Sequence, residues 1–166
     1  PLFRALTVPS FSESFTLAVE EIPHETLVSV EAEGLRLTVR PDVLGGAQNA
    51  APGDRFTLAH AFAHIVLHAD QLKAAGGLVF RDRSSSPAAQ LEAAGVDSVA
   101  DLADAQANAW AAGFLIPTAA ARAHLVYSAE TGADTPIAAL AGHFQVLPEA
   151  LEHRLGALLP DLVSNS

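Results

Sequence analysis

The clearest pattern early in the chain is an alternation with a period of two. Val28, Val30 and Ala32 alternate with Ser29, Glu31 and Glu33, and then Leu35, Leu37 and Val39 alternate with Arg36, Thr38 and Arg40. Successive strand side chains point to opposite faces, so residues 15–40 are expected to form strands that each bury one face. Gly34 between the two runs predicts a tight hairpin connection. Arg40-Pro41-Asp42 ends the alternation, and Gly45-Gly46 through Pro52-Gly53 reads as a loop.

From Asp54 the period becomes helical. Phe56, Ala59, Ala63, Val66 and Leu67 supply an apolar stripe behind Asp54, an N-cap residue by type. Gly76-Gly77 and then Arg81-Asp82-Arg83-Ser84-Ser85-Ser86-Pro87 read as a polar loop. Ser98 with Asp101 resembles a capping box that opens a helix, and Pro117 stops it. A further helix is expected after Thr118. Two short ones follow Thr135-Pro136 and Leu147-Pro148, where proline suits a first helical turn. The expectation is an α+β fold in one domain over 1–166, a small N-terminal β-sheet packed on a mainly helical core. Residues 15–53 hold the sheet and loop, 54–117 the central helices, and 118–166 a C-terminal helical group.

Composition narrows the function classes. The chain has 166 residues, half of them apolar, enough for a sizeable core and too apolar for general disorder. Nine basic against nineteen acidic side chains give a formal charge of −10, which disfavours phosphate backbones and anionic membranes. No apolar run reaches the ~20 residues of a membrane span. The N-terminus lacks the basic-then-apolar pattern of a signal peptide. Opening on Pro1 rather than methionine marks a processed product or an excised segment, and a cytoplasmic protein is expected. With no cysteine, any metal must be held by histidine and carboxylate.

The candidate chemistry lies in His60-Ala61-Phe62-Ala63-His64. Two histidines four apart on a helix face the same way and can share one metal ion. Metalloproteases with this spacing keep a glutamate after the first histidine, as general base toward metal-bound water. Here that position is Ala61. His68 continues the series, but about 12 Å along the axis from His60 it is too far for the same ion and reads as a supporting or packing residue. A third ligand must come from another helix. In Asp104-Ala105-Gln106-Ala107-Asn108, Asp104 and Asn108 share a face, so one can bind metal while the other orients a histidine. Asp101 is the fallback ligand.

At this point the chain resembles a family. Arg55-Phe56-Thr57-Leu58-Ala59-His60 continuing through His64-Ile65-Val66-Leu67-His68 is similar to the core helix of the ImmA/IrrE metallopeptidases. Gln106-Ala107-Asn108-Ala109-Trp110-Ala111-Ala112 through Leu115-Ile116-Pro117 resembles their second helix. Leu140-Ala141-Gly142-His143-Phe144-Gln145-Val146 with Ala150-Leu151-Glu152-His153-Arg154-Leu155 resembles their closing helical pair. The loop residues Val79-Phe80-Arg81-Asp82 and Ser84-Ser85-Ser86-Pro87 add to the likeness, which extends from about residue 26 to 160.

The resemblance implies a zincin-like core, with Zn²⁺ held by His60, His64 and Asp104. Asp104 stands where the family commonly has the longer glutamate. It also implies a cytoplasmic zinc endopeptidase that cuts helix-turn-helix repressors or antitoxins in bacteria or phage, with a protein as partner and neither nucleic acid nor membrane. Ala61 cannot accept a proton, and loss of a general base lowers rates by about 10²–10⁴-fold or more. An impaired protease is one reading, whether the alanine is engineered or natural. A non-catalytic zinc-binding sensor or protein-binding module is the alternative.

Other residues are weaker candidates. His124, Tyr127 and Glu130 are able to act as transition-state donors or substitute bases, and Arg81 and Arg83 to contact substrate. His24, His143 and His153 have no partner at diagnostic spacing, and Trp110 reads as core. The segment 137–159 has a helix-turn-helix outline. Its second helix carries Glu149 and Glu152 against one arginine, Arg154, so packing onto the protein body is the better expectation than reading DNA.

Overall fold

The computed structural model describes residues 16–21, 28–31, 36–74, 80–82, 99–131 and 137–163. Strands β1 (Thr16–Val19), β2 (Val28–Glu31), β3 (Arg36–Val39) and β4 (Phe80–Asp82) form a mixed sheet in the order β1-β3-β2-β4. β2 and β3 are antiparallel, with Val28 opposite Val39 and Val30 opposite Leu37. β1 runs parallel to β3, and β4 pairs antiparallel with β2.

Two expectations about this sheet need correction. Leu37, Thr38 and Val39 are all at most 3% exposed, so β3 is buried on both faces rather than one. It is an interior strand, and the Arg36 side chain donates through Nε to Thr38 Oγ1 at 3.3 Å on the second face. Arg81 lies within β4 opposite Ser29, not in a loop, because pairing with β2 recruits this short segment. Gly34 and Arg83 fall outside the described residues.

The helices are α1 (Pro41–Gln48), α2 (Pro52–Ala74), α3 (Val99–Leu115), α4 (Thr118–Thr131), α5 (Ile137–Phe144) and α6 (Pro148–Val163). The loop expected at 45–53 is instead α1, a turn and the start of α2. Pro41 presets the first helical φ, and Asp42 in the first turn pairs with Arg40.

The turn itself is a Schellman motif built on alanine. Ala50 sits at φ 63, its N–H donates to the Ala47 carbonyl at 3.2 Å, and the Ala51 N–H donates to the Gly46 carbonyl at 2.9 Å. α5 ends the same way. Gln145 is at φ 56, with Gln145 N–H to the Gly142 carbonyl at 3.2 Å and Val146 N–H to the Ala141 carbonyl at 3.0 Å. Asp54 is therefore the third residue of α2, not its cap, and its carboxylate occupies the space that a side chain at Gly46 would need. Ser98 is outside the described residues, and α6 is sixteen residues long rather than short.

Three apolar clusters hold these elements together. The first joins the sheet, α1 and α2 through Leu37, Val39, Val43, Ala61, Ile65 and Ala69. The second gathers Ile116, Ala121, Leu140, Val146, Leu151 and Leu155 around α4, α5 and α6. The third is a seam of small residues, with Phe56 and Ala59 of α2 against Ala111 and Ala112 of α3 and Ala150 of α6.

Arg154 of α6 reaches the corner between α3 and α4. Its Nη2 donates to Thr118 Oγ1 at 2.7 Å and its Nε to the Ile116 carbonyl at 3.4 Å. The one arginine of the helix-turn-helix-like pair is thus occupied by contacts to its own chain. No described helix is long and apolar enough to cross a membrane.

Candidate metal centre

α2 and α3 pack side by side and bring the candidate ligands together. His60 and His64 are almost fully buried, at 6% and 2% exposure. Their Nε2 atoms lie 3.0 Å apart. Asp104 Oδ1 of α3 is 3.2 Å from His64 Nε2 and 4.0 Å from His60 Nε2. One ligand-capable atom from each residue falls within a 4.8 Å span. Four ligands set tetrahedrally at ~2 Å from a Zn²⁺ ion lie about 3.3 Å from one another. Two edges of the triangle, 3.0 and 3.2 Å, match a face of that tetrahedron, and the third, 4.0 Å, is longer. The Asp104 side chain is 54% accessible, so this corner of the triangle meets solvent.

The supporting contacts orient the first ligand. His60 Nδ1 donates to Asn108 Oδ1 at 2.7 Å, which fixes the proton on Nδ1 and leaves the Nε2 lone pair directed at the triangle. A hydrogen bond from His64 holds the Asp104 carboxyl below its ordinary value, against burial that raises it, with electrostatic attraction to the His64, His60 and His68 rings adding to the lowering. A carboxylate that stays ionised is the form a cation needs.

Position 61 has a different character. Ala61 is 1% exposed and belongs to the apolar cluster with Leu37, Val39 and Ile65. Three residues able to bind a metal meet, while position 61 carries a methyl group packed among hydrocarbon.

His68 does not join the group. α2 is interrupted at this residue, with φ −123 and ψ 16, so the histidine series does not run on along one straight helix. Its ring is 5.5 Å from that of His64, centroid to centroid, and tilted 46°. Its Nε2 donates to the Ala103 carbonyl at 3.3 Å, and its Nδ1 lies 2.9 Å from Gln71 Oε1.

The remaining candidates scatter. Asp101 is one turn before Asp104 on α3, and Arg81 is in β4. His124 is partly buried on α4 and lies outside the metal-capable group, and Tyr127 is 58% exposed. Glu130, His143 and His153 are exposed, and His24 lies outside the described residues.

Trp110 is not core. It stacks on the exposed Phe114 at 5.0 Å and meets Phe62 edge-on at 5.6 Å. It also lines an open groove of about 570 Å³ with Leu67, His68, Gln71, Gln106 and Ala109. Sequence reasoning missed this groove and the roles of Gln71 and Arg154. Gln71, three residues after His68 on the same helical face, was the one with a local signal.

A sheet beside a two-histidine helix, with a carboxylate donated by a second helix, defines a metallopeptidase-like protein. Residues 30–156 match the profile of the IrrE N-terminal-like domain, the M78 peptidases, and the chain belongs to that family. No curated protein matches the chain significantly.

Proposed function

We propose that the protein is a zinc-binding member of the M78 metallopeptidases that engages a helix-turn-helix repressor or antitoxin in the cytoplasm, and that in this form it hydrolyses peptides poorly. The observation that carries the reading is the triangle of His60 Nε2, His64 Nε2 and Asp104 Oδ1, with Asn108 fixing the His60 tautomer. His60 and His64 would hold Zn²⁺ through Nε2 and Asp104 through its carboxylate. When bound, Zn²⁺ supplies a Lewis acid for the scissile carbonyl and lowers the pKa of a water.

This chain's residues do the rest. The buried imidazoles keep the donor geometry rigid, and the open side at Asp104 admits the substrate. No carboxylate stands at Ala61 to take the water's proton, so the rate falls by about 10²–10⁴-fold.

A second reading is a zinc-dependent binding module without catalysis, favoured by the packing of Ala61 into the apolar cluster. The test is zinc content followed by cleavage. The purified chain should retain a single Zn²⁺ that His60→Ala abolishes, and Ala61→Glu should then cut a candidate repressor. Full zinc occupancy with an inert Ala61→Glu variant selects the binding module. Absence of any zinc binding overturns both.

A further inference from the structure

The break in α2 at His68 has a specific neighbour. The residue departs from helical geometry, at φ −123 and ψ 16, yet its side chain is 4% exposed. A polar ring so deeply buried requires partners. They are the Gln71 side chain on one nitrogen and the Ala103 carbonyl on the other. Ala103 immediately precedes Asp104.

An aspartate has two side-chain torsions, so the place of its carboxylate follows its backbone closely. The turn of α3 that includes Ala103 therefore decides whether Oδ1 arrives within reach of His64 Nε2, now 3.2 Å away.

We propose that His68 is a positioning residue for the third ligand: lodged at the break in α2, its imidazole holds the Ala103 carbonyl and so sets where Asp104 meets His60 and His64. The inference rests on the metal-site reading above. It gives a task to a histidine that geometry bars from the ion itself. Gln71 completes the device at the opposite nitrogen: with the proton on Nε2, Nδ1 accepts from the Gln71 amide in the orientation that presents its NH₂. Asp104 is the exposed member of the triangle, beside two buried histidines, and it is the member that His68 steadies.

The test is Zn²⁺ affinity of the purified chain, by competition with a chromophoric chelator, with the Co²⁺ absorption spectrum as a reporter of ligand geometry. His68→Phe removes the donor and should weaken Zn²⁺ binding by about tenfold or more, as loss of an orienting partner does elsewhere. It should also change the Co²⁺ spectrum.

His68→Gln retains an N–H donor and should recover most of the affinity. In the Asp104→Ala background His68→Phe should cost nothing further, because its effect passes through Asp104. Should His68→Phe fail to fold, Gln71→Leu on the exposed side of the pair carries the test, with a smaller expected loss of about threefold.

Equal affinity of His68→Phe and the unaltered chain, or of Gln71→Leu where it stands in, overturns the proposal, and so does a loss that simply adds to that of Asp104→Ala. An unaltered chain that binds no Zn²⁺ overturns the metal-site reading and this one together. Unaltered binding with an indifferent His68 overturns this one alone.

Discussion

Asn108 Oδ1 accepts a 2.7 Å hydrogen bond from His60 Nδ1, across the seam between α3 and α2. The bond decides which nitrogen of His60 faces His64 and Asp104. Asn108→Leu removes the acceptor at a position only 6% exposed. Zn²⁺ affinity should fall by about 10–100-fold. Isothermal titration with Zn²⁺ reads the loss directly, and an unchanged affinity would show that the His60 tautomer is set by other means.

Metal should stabilise the fold. At a free Zn²⁺ concentration of 100 times Kd, binding to the folded state alone contributes about 2.7 kcal/mol. For a chain of this size each kcal/mol moves Tm by about 2–4 °C. Calorimetry with and without a chelator should therefore show a shift of about 5–10 °C. His64→Ala should abolish the shift whatever it does to the baseline Tm.

Ala61→Glu should act on stability and rate in opposite directions. The methyl of Ala61 lies among Leu37, Val39, Val43 and Ile65. A longer side chain there overpacks the cluster or must swing toward the histidines, at about 1–3 kcal/mol in the metal-free protein. With Zn²⁺ bound, the carboxylate gains a role and cleavage should rise by about 10²–10⁴-fold. Thermal melts in both metal states, beside a cleavage assay, separate the two effects. A metal-free Tm equal to that of the unaltered chain would contradict the packing argument.

Acid should loosen the α2–α3 contact in the metal-free protein. The Asp104 carboxyl is held below its ordinary value by the hydrogen bond from His64. A carboxylate whose pKa is depressed on folding contributes stability that is present above the unfolded value of ~3.9 and is lost as pH falls through the lower folded value. Asp42, brought down to about 2 by the Arg40 side chain, follows the same rule at the start of α1. Carboxyl carbon chemical shifts followed from neutral pH downward should give both residues midpoints below those of unpaired aspartates. A normal midpoint at Asp104 would remove the His64 contact from the picture.

The two left-handed turns offer a stability gain remote from the site. Ala50 at φ 63 and Gln145 at φ 56 hold positions where a Cβ is unfavourable. Ala50→Gly and Gln145→Gly should each stabilise by about 0.5–1 kcal/mol, after the entropy of the added glycine is deducted. Denaturant midpoints at an unchanged slope would show it, and a loss of stability at either position would mean that the side chain contributes more than the strain.

The parts of this structure readable from the chain are those that local rules govern. His60 and His64 are a four-residue spacing on one helix, and the alternation around Val28 and Leu37 states its strands directly. Asp104 and Asn108 were visible as a same-face pair, but choosing between them needed the family resemblance and then the distances.

What escaped was non-local or locally misleading. β4 exists because Phe80 and Asp82 find partners in β2, some fifty residues earlier. α1 was concealed by Gly45 and Gly46, poor helix residues, and by a turn centred on alanine where glycine is the usual signal. The contact of His68 with Ala103 spans thirty-five residues and rests on a break in α2 that no residue type announces.

The alanine seam has one more consequence. Ala59, Ala63, Ala107 and Ala111 are all at most 7% exposed on α2 and α3, so methyl groups line the buried sides of both helices around the polar contacts of His60, His64, Asn108 and Asp104. A shorter ligand needs a thinner partition. Asp104 is one methylene shorter than a glutamate, and small side chains along the seam let the helix that carries it come close. Carboxylate length and the placing of α3 against α2 are therefore coupled: Asp104→Glu would carry its oxygens one methylene past the place where Oδ1 now meets His64.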